Sequence, residues 1–178
     1  MQFLASDALA RARRVRLVVF DVDGVLTDGR LWYGPDGEEI KAFHGFDGQG
    51  VKLLLSAGLK TALITGRESA AVAERARELG IEHVMQGADD KRKAFRALLR
   101  NVRMRQEAVA YMGDDLVDLP VLLRCGFACA PHEAPEEVRR SAHYIASSPA
   151  GHGAAREVCE FILEAQGKLG RVLAQFRR

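Results

Sequence analysis

The chain is poor in the residues that staple small secreted folds. Its 178 residues include three cysteines, Cys125, Cys129 and Cys159, an odd number with no CxxC pair. That argues against a disulfide framework and against a zinc site, and leaves buried apolar thiols in a reducing compartment as the reading. No apolar run approaches the ~20 residues needed to span a bilayer. The N-terminus lacks a long apolar core behind a positive start, so no secretory leader is evident. A cytoplasmic protein with no membrane partner is the expectation. Charge of one sign is not in excess either: 26 Lys and Arg face 24 Asp and Glu, a formal net +2. A nucleic-acid partner is not expected from such a balance, and the basic stretches RARRVR (11–16) and RR (177–178) are read as solvated ends. Repeats and low-complexity segments are absent. With 48% hydrophobic residues, the composition is globular. The length suits a single domain over 1–178 with a sizeable core and is short for two.

Apolar runs alternate with helical patterns. A continuous β-branched run at 15–20, an apolar run at 60–65 and the segments 82–86, 108–112, 126–130 and 143–146 predict strands. Segments 47–58, 67–80, 90–101, 115–125 and 153–166 predict helices, with Asp89 or Asp90 capping the third. Strands buried on both faces and separated by helices predict an α/β fold, a Rossmann-like parallel sheet with helices on both sides. One stretch breaks the alternation. RLWYGPDGEEIKAF (30–43) holds two short β-like runs around Gly-Pro-Asp-Gly, which predicts a hairpin over the end of the sheet.

Ligands of open α/β sheets bind at the carboxyl ends of the strands. VVFDVDGVLTDG (18–29) runs an apolar strand into Asp21, Asp23 and Asp28. Asp21 and Asp23, two apart on extended chain, face one side. Thr65, Gly66 and Arg67 follow the strand KTALI, and a short loop after HVMQ leads to Lys91. AVAYM is followed by Asp114, Asp115 and Asp118. Asp114 and Asp118, four apart at the start of a helix, share a face. Clustered carboxylates need a positive partner, and Mg²⁺ suits so few protein ligands plus water and a phosphate. Thr65 and Gly66 are placed at a helix N-terminus, which favours an anion, and Lys91 adds a positive charge. These groups make a phosphoryl-transfer site in which an aspartate attacks phosphorus.

FDVDGVLTDG, LITGR, DK before a helix, and GDDLVD resemble, in order and spacing, the four motifs of the haloacid-dehalogenase superfamily over about residues 15–166. The resemblance implies that Asp21 is the nucleophile. It implies that Asp23 is the general acid/base, with its backbone carbonyl on Mg²⁺, and that Asp114 is a further metal ligand. Thr65 would bind the phosphate and Lys91 stabilise it, while Asp118 would orient Lys91 or a metal-bound water. A finer resemblance, carried by DVDGVLTDG, GEEIKAF, DGQGV, ITGR, QGADDK, GDDLVDLPV and GAAREVCEFILEAQGKL, is to the 3-deoxy-D-manno-octulosonate 8-phosphate phosphatases. It implies a hairpin in place of a cap, a homotetramer whose hairpins and neighbouring subunits close each site, and a lipopolysaccharide precursor as product. C-terminal tails of that family can reach a neighbour's site, which draws attention to 168–178.

Two departures bear on substrate. Phe46 precedes Asp47 where that family often has Arg, and His152 stands where AGHGAARE replaces GGRGAVRE. Neither reproduces arginine's bidentate reach to carboxylate or phosphate. A nine-carbon keto-sugar-acid 9-phosphate is therefore a second expected substrate, and a non-catalytic binding module of the same fold a further reading. Some residues keep two readings. Thr65 could cap the helix at 67–80; Asp115 could support the metal or stabilise a helix N-terminus. Asp28 reads as a turn residue. Arg67 could reach substrate or form a surface ion pair. Trp32 and Tyr33 could contact substrate or another subunit, and His44 could line the site.

Overall fold

The computed structural model describes residues 2–177. Leu17–Phe20, the run LVVF, forms β1, and all four residues are buried. Their side chains alternate across the sheet as strand geometry demands: Val18 and Phe20 enter one core layer and Leu17 and Val19 the other. Around β1 lie β4 (Lys60–Ile64), β5 (His83–Met85), β6 (Val109–Met112), β7 (Phe127–Pro131) and β8 (Tyr144–Ala146). They pair in parallel in the order β5-β4-β1-β6-β7-β8. The chain moves one way from β1 to β4 and β5, then crosses to β6, β7 and β8. The carboxyl end of β1 therefore lies at the point where strand order reverses, where open sheets place ligands.

One layer contains α1 (Gln2–Ala12), α2 (Gly45–Ser56), α3 (Ala70–Leu79), α7 (Ala154–Ala165) and α8 (Leu169–Leu173). The other contains α4 (Lys91–Val102), α5 (Leu119–Leu122) and α6 (Glu136–Ser141). Between β1 and α2 the chain makes an antiparallel hairpin of two short strands, β2 (Trp32–Tyr33) and β3 (Glu39–Ile40), with Trp32 opposite Ile40. The α/β class, the parallel sheet, the helices on both faces and the hairpin match expectation.

The expected helix at 115–125 is instead a 3₁₀ turn, Leu116–Asp118, followed by the single turn of α5 with Pro120 near its start. The basic N-terminal stretch is not a loose end. Arg11 donates to the Gly126 carbonyl at 3.1 Å, Arg13 to that of Ala165 at 3.3 Å, and Val15 is buried. The tail also docks, as α8, with Val172 buried.

The α2–α7 contact is built from DGQG. Gly50 lets the helices close, since a Cβ there would lie 2.9 Å from the Arg156 Cα. Asp47, buried in the first turn of α2, accepts the N–H groups of Gly153 (3.1 Å) and Arg156 (3.0 Å). It thus caps α7, whose own N-cap residue is Gly153 and has no side chain to do so. The three cysteines are buried as expected, Cys129 and Cys159 in one layer and Cys125 in the other. Burial pushes the Cys125 thiol up to about 12 and also raises those of Cys129 and Cys159.

Candidate active site

Past Phe20 the chain extends one more residue, with the Asp21 N–H donating to the Met112 carbonyl at 2.9 Å, and then turns. The N–H groups of Val25, Leu26 and Thr27 converge on the Val22 carbonyl at 2.9–3.2 Å. Gly24 holds φ +83°, and a Cβ on it would meet the Asp114 carboxylate at 2.0 Å, so glycine is required there. The turn exposes Asp21 and Asp23 to a cavity of about 520 Å³ at the carboxyl ends of β1, β4 and β6. All seven expected site residues line it: Asp21, Asp23, Thr65, Gly66, Arg67, Lys91 and Asp114.

Lys91, the first residue of α4, is only 5% exposed. Its Nζ lies 2.7 Å from Asp21 Oδ2 and 2.6 Å from Asp118 Oδ1. Burial opposes its charge, but Asp21 and Asp118 outweigh burial and raise its pKa. Asp118 is fully buried and accepts four hydrogen bonds: from Lys91, from the Tyr111 hydroxyl at 2.6 Å, and from the N–H groups of Asp114 (3.1 Å) and Asp115 (3.2 Å). It does not share an outer helix face with Asp114; it lies beneath the loop and fixes both that loop and Lys91. Asp115 accepts the Leu116 N–H at 2.7 Å and caps the 3₁₀ turn, the helix-start reading of this residue.

Carboxylate oxygens of Asp21, Asp114 and Asp118 lie within 4.8 Å of one another. Lys91 serves Asp21 and Asp118, whereas Asp114 forms no ion pair among the described residues. Burial, then the charges of Asp21 and Asp118, push the Asp114 carboxyl up to about 8. Burial, with Asp118, holds Asp21 at about 6 despite Lys91. A set of hard oxygens with negative charge in excess fits a divalent cation such as Mg²⁺. Since Asp118 is already saturated by four donors, Asp21 and Asp114 are the side chains free to hold it.

The phosphate loop departs from expectation. α3 begins at Ala70, so Thr65 and Gly66 lie in a turn ahead of the helix and not at its N-terminus. Thr65 does not cap α3. Its Oγ1 accepts the Arg67 N–H at 3.4 Å, and the Ser69 N–H bonds the Gln86 side chain at 2.7 Å. Any anion here is met by loop groups and Lys91, without a helix terminus behind them.

The hairpin contributes residues that the sequence reading did not single out. Lys41, with its side chain 2% exposed, reaches Asp23 Oδ1 at 2.5 Å and Glu39 Oε2 at 3.0 Å. Glu39 also receives the Arg67 guanidinium at 2.8 Å. An ion-pair chain Asp23–Lys41–Glu39–Arg67 thus ties the hairpin to the cavity. Its one signal in sequence is the spacing in E-I-K, which sets Glu39 and Lys41 on one side of a strand and Ile40 on the other. His44 does not line the cavity. It caps α2, accepting the Phe46 N–H on Nδ1 at 3.1 Å, and its ring packs against Phe46 and His152. The two departures from the family pattern are therefore neighbours of one histidine, outside the cavity lining. Asp28 is a turn residue that accepts the Arg30 N–H at 3.0 Å.

A family model described as haloacid dehalogenase-like hydrolase matches residues 81–158. The 3-deoxy-D-manno-octulosonate 8-phosphate phosphatase KdsC of Yersinia pestis is 43% identical over 93% of this chain and 89% of its own. A crystal structure of a probable yrbI family phosphatase from Pseudomonas syringae is 48% identical, covers 97% of this chain and 98% of its own, and superposes with a TM-score of 0.95. A 3-deoxy-D-manno-octulosonate 8-phosphate phosphatase from Moraxella catarrhalis, solved with magnesium ion, phosphate ion and a KDO molecule, is 41% identical. It covers 96% of this chain and 98% of its own, with a TM-score of 0.94.

Proposed function

From the premise that this chain belongs to the haloacid dehalogenase-like hydrolases and is a phosphatase of that family, we propose that it hydrolyses 3-deoxy-D-manno-octulosonate 8-phosphate to the free sugar acid and phosphate. The observation that supports this substrate most is identity above 40%, across nearly the whole chain, to phosphatases bearing that name. The cavity lining supports it with the carboxylates of Asp21, Asp23 and Asp114, the Lys91 ammonium and the Thr65 hydroxyl.

Asp21 is the nucleophile. One of its carboxylate oxygens attacks phosphorus as the bond from phosphorus to the sugar oxygen breaks, and that oxygen takes a proton from the Asp23 carboxyl. The phosphoryl group is then an acyl phosphate on Asp21. Asp23, now a carboxylate, takes a proton from a water whose oxygen attacks the same phosphorus, and the bond to Asp21 breaks to give phosphate. Lys91, fixed by Asp118, keeps Asp21 charged and faces the phosphoryl oxygens, while Thr65, Gly66 and Arg67 bind substrate. Asp21, Asp114 and the Asp23 backbone carbonyl would hold Mg²⁺, which would supply a positive charge against the transferring group.

The chain acts as one domain in the cytoplasm; among its described residues no helix is long and apolar enough to cross a membrane. It assembles as a homotetramer, which the exposed hairpin residues Leu31, Trp32, Tyr33 and Ile40 support. A second reading, a nine-carbon keto-acid 9-phosphate, rests on the sequence departures at Phe46 and His152, which lie outside the cavity lining. Phosphate release with Mg²⁺ across the octulosonate 8-phosphate, the nine-carbon 9-phosphates and plain sugar phosphates decides between them by kcat/KM. Asp21→Asn abolishes release on every substrate; full activity in that variant overturns the mechanism.

A further inference from the structure

Seven of the fifteen residues from Lys91 to Arg105 are basic. Lys91 belongs to the cavity. The other six, Arg92, Lys93, Arg96, Arg100, Arg103 and Arg105, are exposed. None of them forms an ion pair among the described residues, whereas some exposed cations elsewhere do, Arg77 with Glu74 and Arg140 with Glu136. Without these six the formal charge of +2 would become −4, so positive charge is segregated on this face.

The arrangement works against the helix that carries it. Arg92, Arg96 and Arg100 recur every fourth residue on α4, where like charges destabilise a helix by about 0.2–0.5 kcal/mol per pair. Arg103 ends the row in a left-handed conformation, φ 51°, at the C-cap position. It is the one non-glycine residue with positive φ among those described, at a position where glycine is usual.

The row leads to the cavity. A depression of about 390 Å³ shares Ala88 and Asp89 with the cavity and includes Lys93 in its wall. A further one of about 420 Å³ shares Asp90 and Lys93 with the second and is lined by Arg92, Arg96 and Arg100. The cavity itself presents five carboxylates, Asp21, Asp23, Asp89, Asp114 and Asp115, and Arg67 is already paired with Glu39. A sugar-acid phosphate bears a carboxylate and a phosphate, so this mouth repels it until Lys91 and the metal are within reach.

We infer that the exposed basic face of α4 is an electrostatic approach surface, which gathers the anionic substrate and passes it along the connected depressions into the catalytic cavity. The inference rests on the sugar-acid phosphate reading of the site. Clefts of one sign raise capture of opposite charge and lose that effect as salt rises.

The test compares R92Q/K93Q/R96Q/R100Q with the wild type at saturating Mg²⁺. At about 20 mM ionic strength, where the Debye length exceeds about 20 Å, the variant has kcat/KM lowered about three- to tenfold and an unchanged kcat. The two proteins converge at about 0.5 M salt, where screening removes the field. An aryl phosphate, which lacks the carboxylate charge, shows the smaller loss. A control that removes four exposed cations elsewhere, K52Q/R77Q/R139Q/R140Q, keeps most of the wild-type value. Unchanged kcat/KM and salt slope in the α4 variant overturn the inference, and so does an equal loss in the control. If the wild type releases no phosphate from the octulosonate compound at any salt, the substrate reading fails. The approach surface is then decided on the aryl phosphate by the same comparison with the control.

Discussion

Asp118 shows how one buried carboxylate organises a site it does not line. It receives an ammonium, a phenol and two backbone N–H groups, and removing its charge strands the phenol and the two N–H groups and leaves Lys91 with Asp21 alone. Asp118→Ala is expected to lower stability by about 3–5 kcal/mol, the usual penalty for breaking a buried charge pair, and to abolish turnover because Lys91 loses one of its two anchors. Tyr111→Phe removes a single bond to a charged acceptor, about 1.5–3 kcal/mol, and leaves Lys91 in place, so kcat stays within about tenfold of wild type. Thermal unfolding and steady-state kinetics on the two variants check the contrast; equal losses of activity would show that the phenol, too, is needed to hold Lys91. Asp21, Asp23, Lys91 and Asp114 were legible in the sequence because each follows an apolar run at a predictable edge of the sheet. The pairing of Asp118 with Lys91 was implied by the family resemblance and is found, whereas its bonds to the Tyr111 hydroxyl and to the Asp114 and Asp115 N–H groups were not legible, since these donors meet it only in the folded chain.

Elements were legible where they were long and periodic. The six sheet strands and α2, α4 and α7 fell within a few residues of expectation. The hairpin was legible from its Gly-Pro-Asp-Gly turn and its two β-like runs, but its two-residue strands are too short to show which way Lys41 faces, and Lys41 was missed. The start of α3 was misplaced because Arg67, Glu68 and Ser69 can continue a helical pattern, while the chain instead spends them on a turn held by Gln86. Lys41→Met leaves the Asp23 and Glu39 carboxylates partly buried without their cation. It is expected to release the hairpin from the cavity, with faster proteolytic nicking near Gly34–Gly37 than in the wild type; an unchanged cleavage rate would mean that the hairpin is held by other contacts. At the other end of the sheet Glu157, in the first turn of α7, accepts the Ser147 and Ser148 N–H groups and the Tyr144 hydroxyl at 2.8–2.9 Å. Burial raises its pKa, but these donors outweigh it, and the folded value lies below the ordinary 4.5. Its contribution to stability is therefore complete above that pH and lost as pH falls through the lower folded value. Glu157→Gln is expected to lower the melting temperature by a few degrees at pH 7, with the gap narrowing in acid. A gap that holds constant into acid would show that the charge on Glu157 contributes nothing.

For the molecule as a whole, the exposed side chains are not scattered. Trp32, Tyr33 and Ile40 are each more than half exposed on one hairpin, and Phe46 is 64% exposed shortly after it. In the proposed tetramer they are covered, so light scattering is expected to give four times the 19.6 kDa chain mass. Trp32→Glu with Tyr33→Glu should dissociate it and raise KM as neighbouring subunits leave the site; a monomeric wild type would overturn that assembly. The buried thiols have a different use. Cys129 and Cys159 lie in one helical layer and Cys125 in the other, on opposite sides of a single sheet, and none reacts while the fold is closed. They form a set of built-in clocks. Pulsed labelling with a thiol reagent, resolved by mass for each cysteine, times how often each layer opens. Identical protection factors at the three positions would mean that the two layers unfold as one cooperative unit, and a faster Cys125 that the α4–α6 side breaks away first.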